Sequence, residues 1–175
     1  AKIVTVAGTN GKGSSVAFLD SIARAAGLRV GTYTSPHLLQ YNERVKINGK
    51  SVSDQQLCSA FEKIDAARGE DALTYFEFAT LAALEIFRDN LDLIILEVGL
   101  GGRLDAVNIV DSSVTLVTTV DLDHQAWLGN SREEIGREKA GIARKDRVLV
   151  VGEYEPPNSL LSSAQEIGAK VHKTG

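Results

Sequence analysis

The chain is poor in the residues that mark disulfide-bonded and membrane-spanning proteins. Its 175 residues include one cysteine, three prolines, one tryptophan and no methionine, and only 6% are aromatic. Because the single Cys58 cannot form an internal disulfide, we expect a reducing compartment and assign the protein to the cytoplasm. No apolar run approaches the roughly 18 residues of a membrane span. No signal peptide precedes the first predicted strand, so we expect no membrane partner.

The charge pattern excludes a second class of partner. Lys and Arg number 19 against 23 Asp and Glu, the net charge is −4, and no basic block or basic-aromatic stripe is present. Nucleic-acid binding requires such a patch, so we expect no nucleic-acid partner. The hydrophobic share of 43% and the charged share of 24% are ordinary for a soluble globular protein. The length suffices for one α/β domain with a substantial core.

Strands and helices alternate in the sequence pattern, which predicts an α/β fold with a mostly parallel sheet flanked by helices. Apolar and β-branched runs predict strands at 3–6, 29–34, 93–98, 114–119 and 148–151, with a last strand beginning near Val171. Periodicity and capping sequences predict helices at 14–26, 53–68, 74–90, 131–143 and 159–167. Asn48-Gly49 predicts a type I′ hairpin. Ligands bind such sheets at the carboxyl ends of the strands, so polar residues there are the candidates for function.

The segment from Gly8 to Ser14 (GTNGKGS) lies between the first predicted strand and the first predicted helix. This order is typical of a phosphate-binding loop, because glycines let successive N–H groups face one anion and the helix N-terminus adds a favourable dipole. Lys12 would supply charge to the β- and γ-phosphates. The pattern G-x-x-x-x-G-K-[ST] is not fully met, since Val6 and Gly13 replace its first glycine and its Ser/Thr. We predict a nucleoside triphosphate site; the alternative is a glycine-rich turn with a surface lysine.

Three charged or titratable residues outside the loop are candidates for chemistry. Glu97 interrupts an apolar run at a strand end, where a buried carboxylate is costly unless it is paired or binds a metal. Beside a phosphate loop it predicts a Mg²⁺ ligand; the alternative is a strand end or a pair with Arg103. His124 follows another strand, and the alternatives of ligand, base and structural hydrogen bonder remain open because Mg²⁺ prefers oxygen. Lys139 lies on a predicted helix, where a lysine is usually solvated.

Seven stretches form an ordered set of motifs that covers nearly the whole chain. They are residues 8–14 (GTNGKGS), 34–38 (TSPHL), 42–45 (NERV), 73–77 (LTYFE), 96–106 (LEVGLGGRLDA), 122–124 (LDH) and 137–142 (REKAGI). Together they resemble the folylpolyglutamate synthase/dihydrofolate synthase branch of the Mur ligase superfamily. The second and fifth stretches point to this branch rather than to the cell-wall ligases. The resemblance implies the phosphate-loop NTPase-like fold of a Mur ligase central domain.

The resemblance also implies roles for individual residues. The implied ATP-binding residues are Thr9, Asn10, Gly11, Lys12, Gly13 and Ser14. The implied Mg²⁺ ligands are Ser35, Glu97 and His124, and the implied catalytic residues are Lys12, Lys139 and His124, with Lys139 open to carbamylation. The implied pterin pocket comprises Thr74, Tyr75, Phe76, Glu77, Leu104, Asp105 and Ala106. For Thr74 and Glu77 a helix cap is an alternative that can coexist with this role, and for Phe76 the alternative is a core position.

The implied activity is ATP-driven amide formation. A substrate carboxylate attacks the γ-phosphate, and the α-amine of glutamate then displaces phosphate from the acyl phosphate. The implied partners are small molecules, namely a pterin or folate, L-glutamate and ATP, and we expect a monomer. Members of this family are longer than 175 residues, so we expect residues 1–175 to be the ATP-binding domain, incomplete at both ends and without the C-terminal glutamate ligase domain.

Three alternatives to this activity are kept open. The chain can be a non-catalytic nucleotide-binding fragment or a cell-wall-type Mur ligase domain. It can also be an unrelated phosphate-loop hydrolase or kinase. That last class predicts a regular G-x-x-x-x-G-K-[ST] or, for a GTPase, an Asn/Thr-Lys-x-Asp motif, and the sequence has neither.

Overall fold

A computed structural model describes residues 1–174, which form an eight-stranded sheet with flanking helices. The strands are β1 (Lys2–Ala7), β2 (Val30–Tyr33), β3 (Val45–Ile47), β4 (Lys50–Ser51), β5 (Leu93–Glu97), β6 (Val114–Val117), β7 (Val148–Val151) and β8 (Lys170–Lys173). The α-helices are α1 (Lys12–Ala25), α2 (Asp54–Arg68), α3 (Tyr75–Ile86), α4 (Gln125–Leu128), α5 (Arg132–Ala140) and α6 (Asn158–Ile167). Short 3₁₀ helices span Tyr41–Arg44 and Ala106–Ile109. Within this described range no helix is long and apolar enough to cross a membrane.

The strand order places β1 at the centre of the sheet. The order is β4-β3-β2-β5-β1-β6-β7-β8, and the strands from β2 to β8 in this order are parallel. At one edge, β3 and β4 form an antiparallel hairpin, and φ angles of 50° at Asn48 and 76° at Gly49 agree with the predicted type I′ turn. The chain runs from β1 outward in both directions, so the carboxyl end of β1 is the switch point at which such sheets bind ligands.

Alternation of side chains along the strands builds a separate core on each face of the sheet. Val6 and Ala7 are adjacent on β1 and lie in different clusters. Val6 packs with Val16 of α1, whereas Ala7 belongs to the larger cluster that includes Ala83 of α3 and Ile135 of α5. The predicted α/β architecture with a mostly parallel sheet is therefore confirmed.

The boundaries of several elements differ from the sequence prediction. The first helix begins at Lys12 rather than Ser14, because Gly11 adopts a left-handed φ of 81° and already serves as the N-cap. The fifth helix ends at Ala140 rather than near residue 143, although Ile142 and Ala143 are buried. These two residues enter the core from a turn, so hydrophobic periodicity extended the predicted helix too far.

Candidate nucleotide and substrate site

The loop after β1 has a backbone that requires glycine at two positions. Gly8 has φ of 151°, and a Cβ placed on it would overlap with Oγ1 of Thr118. Gly11 has φ of 81°, a left-handed conformation that side chains rarely adopt. The loop therefore curls tightly between β1 and α1, as the glycine pattern predicts.

The curled loop is hydrogen-bonded to the segment that follows β6. The N–H of Thr9 donates to the carbonyl of Thr119 at 2.8 Å, and the N–H of Asn10 donates to Oγ1 of Thr119 at 3.0 Å. The hydroxyl of Thr118 donates to the carbonyl of Asn10 at 2.6 Å. Thr9 and Asn10 thus fix the loop in place. Sequence reasoning missed the two threonines, although hydroxyls directly after an apolar strand are a signal that could have found them.

The N-terminus of α1 presents free donors and no acidic residue. Its first turn contains no Asp or Glu, and Gly11 supplies no side-chain cap. The first hydrogen bond of the helix runs from the N–H of Ser15 to the carbonyl of Gly11 at 3.0 Å, so the N–H groups of Lys12, Gly13 and Ser14 precede the helical ladder. Nζ of Lys12 donates to the carbonyl of Gly8 at 2.8 Å. Donors and positive charge at one helix N-terminus constitute an anion site.

Glu97, at the carboxyl end of β5, lies beside this turn. Its side chain is buried, and Oε2 accepts a hydrogen bond from the N–H of Ser35 at 3.1 Å. A Cβ on Gly13 would stand 3.8 Å from Oε1, which puts the carboxylate next to the first turn of α1. Burial raises the pKa of Glu97, while the Ser35 N–H and the charge of Lys12 oppose that rise. The alternative pairing with Arg103 is wrong.

Arg103 instead pairs with a residue of α5. Its guanidinium donates to Oε1 of Glu138 at 3.0 Å. Among residues 1–174, no Lys, Arg or His forms a salt bridge with Glu97, so its carboxylate keeps oxygen atoms for a cation.

The three predicted metal ligands are only partly brought together. Ser35 lines both a cleft of about 520 Å³ that contains Glu97 and a cleft of about 770 Å³ that contains His124. His124 is more than half exposed, and its Nε2 lies 3.6 Å from Oδ2 of Asp123. In residues 1–174, no three His, Cys, Asp or Glu side chains form a metal cluster. The hydroxyl of Ser35 and the carboxylate of Glu97 are hard oxygen donors of the type that Mg²⁺ prefers, so this pair fits the ion.

Lys139 on α5 is buried rather than solvated, contrary to the usual expectation for a helical lysine. Only 3% of the residue is exposed. Burial and, to a smaller extent, the positive charge of Lys12 lower its pKa to about 8, while Asp123 opposes the shift. A substantial fraction of the amine is therefore neutral near pH 8, which is the form that reacts as a nucleophile.

The cleft of about 770 Å³ gathers most of the predicted site residues. It is lined by Lys12, Ser35, His124, Thr74, Tyr75, Phe76, Glu77, Leu104, Asp105 and Ala106. It is also lined by residues to which the sequence gave no role, including Pro36, Arg44, Trp127 and Leu128. Trp127 is the single tryptophan and is 80% exposed. Its place just after Asp123-His124 at a strand end was the available signal.

Thr74 and Glu77 form the predicted cap of α3 and line the cleft as well. The N–H of Glu77 donates to Oγ1 of Thr74 at 3.2 Å, and the N–H of Thr74 donates to Oε2 of Glu77 at 2.7 Å. These bonds hold the pKa of Glu77 below its ordinary value. The cap fixes the start of α3, and with it the two aromatic residues that follow Thr74.

The aromatic wall of the cleft combines a packed ring with an exposed one. Phe76 packs against Gly99, where a Cβ would stand 2.6 Å from Cζ of the ring, and its centroid is 6.0 Å from that of Tyr33. Two other residues that line the cleft are exposed: Tyr75 is 62% exposed and Leu104 is 80% exposed. Exposed apolar surface of this kind is typical of a binding groove.

Asp105 holds the glycine-rich loop that forms the floor of the cleft. Its Oδ2 accepts from the N–H of Leu100 at 2.8 Å, and its Oδ1 accepts from the N–H of Val107 at 3.0 Å. Burial raises the pKa of Asp105, and these N–H groups oppose the rise. The carboxylate therefore orders the loop while it faces the cleft.

A curled glycine loop, a helix N-terminus with free donors and a buried acid on the neighbouring strand are the features of the phosphate-loop class of α/β proteins, here beside a second cleft. Comparison with known proteins makes this class more specific. No protein-family model matches the chain. The dihydrofolate synthase/folylpolyglutamate synthase of Escherichia coli strain K12 is 52% identical over 174 residues, which are 99% of this chain and 41% of the relative.

Further relatives and solved structures agree with that match. The enzyme of the same name from Bacillus subtilis strain 168 is 41% identical, over 86% of this chain and 37% of the relative. The structure of E. coli FolC in complex with DHPP and ADP superposes with a TM-score of 0.98 at 52% identity, over 99% of this chain and 42% of that one. A bifunctional folylpolyglutamate synthase/dihydrofolate synthase with Mn, AMPPNP and L-glutamate bound gives 0.95 at 55% identity, over 98% and 43%.

The chain is thus a homologue of the dihydrofolate synthase/folylpolyglutamate synthases over the part of them that it covers. It spans about two fifths of the length of the curated relatives that it matches. The resemblance read from the seven motifs is confirmed.

Proposed function

We propose that residues 1–175 are the ATP-binding part of a ligase that attaches L-glutamate to dihydropteroate, to reduced folates, or to both. One observation carries the proposal: Lys12 of the phosphate loop and the predicted pterin-pocket residues line the same cleft. A triphosphate on the loop would therefore have its terminal phosphate beside a bound substrate. Support comes from homologues that are named for these two activities and from their structures with DHPP and ADP or with Mn, AMPPNP and L-glutamate.

In the proposed reaction, a carboxylate oxygen of the substrate attacks the γ-phosphorus of ATP, ADP leaves, and an acyl phosphate forms. The amine nitrogen of glutamate then attacks the acyl carbon and inorganic phosphate leaves. The nitrogen loses one proton, and an amide results. The N–H groups of Lys12, Gly13 and Ser14 bind phosphate oxygens, and Nζ of Lys12 turns from the loop carbonyls toward the phosphates. Catalysis by such groups is positioning and charge neutralisation rather than covalent chemistry.

Ser35 and Glu97 would hold Mg²⁺, which supplies neutralisation of phosphate charge when it is bound. The buried carboxylate of Glu97, next to Gly13, is suited to this role because its burial is costly without a cation. His124 and Lys139 would complete a second ion site once Lys139 is carbamylated. The lowered pKa of Lys139 supports that modification, since only a neutral amine can attack carbon dioxide.

The cleft walls would hold the pterin or folate. Tyr75, Phe76 and Leu104 provide apolar surface for a flat ring system, while Thr74, Glu77, Asp105 and Ala106 provide polar groups and backbone at its edges. The remaining partners are ATP and L-glutamate. We further propose a cytoplasmic location on the grounds of the single cysteine, and no nucleic-acid partner on the grounds of the net charge of −4. The expectations of a monomer and of no membrane partner stay predictions.

Calorimetric titration of ATP·Mg²⁺ into the chain, beside a glutamate-dependent phosphate-release assay on the whole protein that contains it, tests the proposal. We expect ATP binding by the chain, loss of that binding in Lys12→Ala, and phosphate release only when dihydropteroate or a reduced folate and glutamate are present. ATP binding without any glutamate-dependent release by the whole protein would favour the non-catalytic alternative. Release that depends on a muramyl substrate would favour the cell-wall ligases.

A further inference from the structure

The cleft contains a buried cation to which neither the motif nor the mechanism above gives a task. Arg44, at the end of the 3₁₀ helix Tyr41–Arg44, is only 8% exposed and lines the cleft of about 770 Å³. No Asp or Glu within residues 1–174 forms a salt bridge with it. A buried charge without a counter-charge costs several kcal/mol in general, so a protein retains one where a ligand completes it.

The surroundings of Arg44 hold its guanidinium in one orientation. Nε donates to Nδ1 of His37 at 2.8 Å, and Cζ lies 5.6 Å from the ring centroid of Tyr41 and 5.5 Å from that of Tyr75. Two aromatic rings stabilise the cation without neutralising it. The hydroxyl of Tyr33 is also close enough for the guanidinium to oppose the rise in its pKa. None of these four neighbours carries a negative charge.

The acidic residues of the cleft are committed elsewhere. Glu77 accepts from the backbone of Thr74, Asp105 accepts from two backbone N–H groups, and Glu138 pairs with Arg103. Nε of Arg44 donates to His37, and the hydroxyl of Tyr33 is the other side-chain hydrogen-bond partner of the guanidinium, so neither contact brings a negative charge to it. Two parallel N–H groups on one edge of a fixed guanidinium match the two oxygens of a carboxylate.

The geometry points to Arg44 as a carboxylate-binding residue of the cleft, which takes the carboxylate of an aryl-carboxylate ligand. The identification of this ligand with the substrate whose carboxylate is activated rests on the proposed function. The presence of a carboxylate site at Arg44 does not. Tyr75 then has two tasks, since it presents one ring both to the ligand and to the guanidinium. The pocket would select molecules with a flat apolar body and a single anionic end.

Two binding measurements decide the assignment. In the ¹⁵N-labelled chain, the Nε–H resonance of Arg44, identified by its loss in Arg44→Lys, should shift on addition of 4-aminobenzoate and stay in place with 4-aminobenzamide. In the whole protein, Arg44→Gln should raise the dissociation constant of dihydropteroate by about 10- to 100-fold, the loss of a hydrogen-bonded charged contact. The affinity for the uncharged carboxamide of dihydropteroate, and for ATP, should stay within about twofold.

Arg68→Gln is the matched control, because Arg68 lines the neighbouring aromatic groove but already pairs with Asp65 at 2.6 Å. It should leave all three affinities unchanged. Equal losses for dihydropteroate and its carboxamide in Arg44→Gln would show that Arg44 only supports the fold and would overturn the assignment, as would an unmoved resonance. A shift with 4-aminobenzoate in a protein that does not bind dihydropteroate would keep the anion site and refute the proposed substrate instead.

Discussion

The burial of Lys139 predicts a measurable cost in stability that its replacement removes. The pKa falls from an ordinary 10.5 to about 8 in the folded protein. At about 1.4 kcal/mol for each pKa unit, this difference corresponds to about 3 kcal/mol of destabilisation at neutral pH. Lys139→Met keeps the length and apolar character of the side chain without the charge, so it should raise the free energy of unfolding by up to that amount.

The effect of Lys139 on the free energy of unfolding depends on pH. Below pH 8 both the folded and the unfolded chain carry the proton on Lys139, and the folded state bears the full cost of burying the charge. Between pH 8 and pH 10.5 the unfolded chain remains protonated while the folded one does not. Stability attributable to this residue therefore rises with pH across that window. The advantage of Lys139→Met should shrink from about 3 kcal/mol at pH 7 to near zero above pH 10.5.

Urea denaturation of the chain at several pH values between 7 and 10.5, in carbon-dioxide-free buffer, measures both quantities. Lys50→Met on the exposed strand β4 is the control, and it should change stability by less than about 0.5 kcal/mol at every pH. A Lys139→Met chain that is no more stable than the wild type at pH 7, or whose advantage is constant with pH, would refute the reasoning. Added bicarbonate should stabilise the wild type and leave Lys139→Met unchanged, because only the lysine can form a carbamate.

Three further predictions concern the phosphate loop, the metal and the pocket. Gly8→Ala should abolish ATP binding in calorimetry, because its Cβ would overlap with Thr118 at a φ of 151°. Gly13→Ala should fold and gain about 0.5–1 kcal/mol in urea denaturation, because its Cβ would meet only the carboxylate of Glu97, at 3.8 Å from Oε1 and 4.0 Å from Oε2. Equal behaviour of the two variants would contradict the loop geometry. Glu97→Gln should weaken Mg²⁺ binding to the ATP complex by at least about tenfold in a metal titration while ATP binding without Mg²⁺ persists, and an unchanged metal affinity would remove Glu97 from the ion site. Thr74→Ala should cost about 1 kcal/mol through loss of the α3 cap and lower the Tm by about 2–4 °C in calorimetry, and an unaltered Tm would show that the cap does not stabilise α3.

The parts of the fold that were predictable are those with a short-range cause. The alternating strands and helices follow from periodicity and caps, and the hairpin follows from Asn48-Gly49, whose left-handed φ angles only such residues adopt easily. The phosphate loop was predictable because Gly8 and Gly11 are required by backbone conformation alone. The helix formed by residues 125–128 was missed, since four residues carry too little periodicity to be detected.

The parts that were not predictable depend on the environment created by distant residues. Lys139 reads as a solvated lysine in sequence, and only packing in the folded chain shows that it is buried and that Lys12 acts on it. Arg44 belongs to the motif at residues 42–45, but the sequence does not show which side chains surround it. Only the fold places Tyr75 and His37, rather than a carboxylate, beside its guanidinium. Arg103, which the sequence offered as an alternative partner for Glu97, pairs instead with Glu138 of α5. Each of these is a long-range relation that local pattern does not contain.

The central claim is that one cleft holds the triphosphate and the pterin substrate. A crystal structure of the whole protein with AMPPNP, Mg²⁺ and dihydropteroate tests it most directly. We expect terminal phosphate oxygens on the N–H groups of Lys12, Gly13 and Ser14 and on Nζ of Lys12. We also expect Mg²⁺ on oxygens of Ser35 and Glu97, and the substrate carboxylate within reach of the γ-phosphate. A triphosphate bound away from the loop, or a pterin bound outside the wall formed by Tyr75 and Leu104, would contradict this claim.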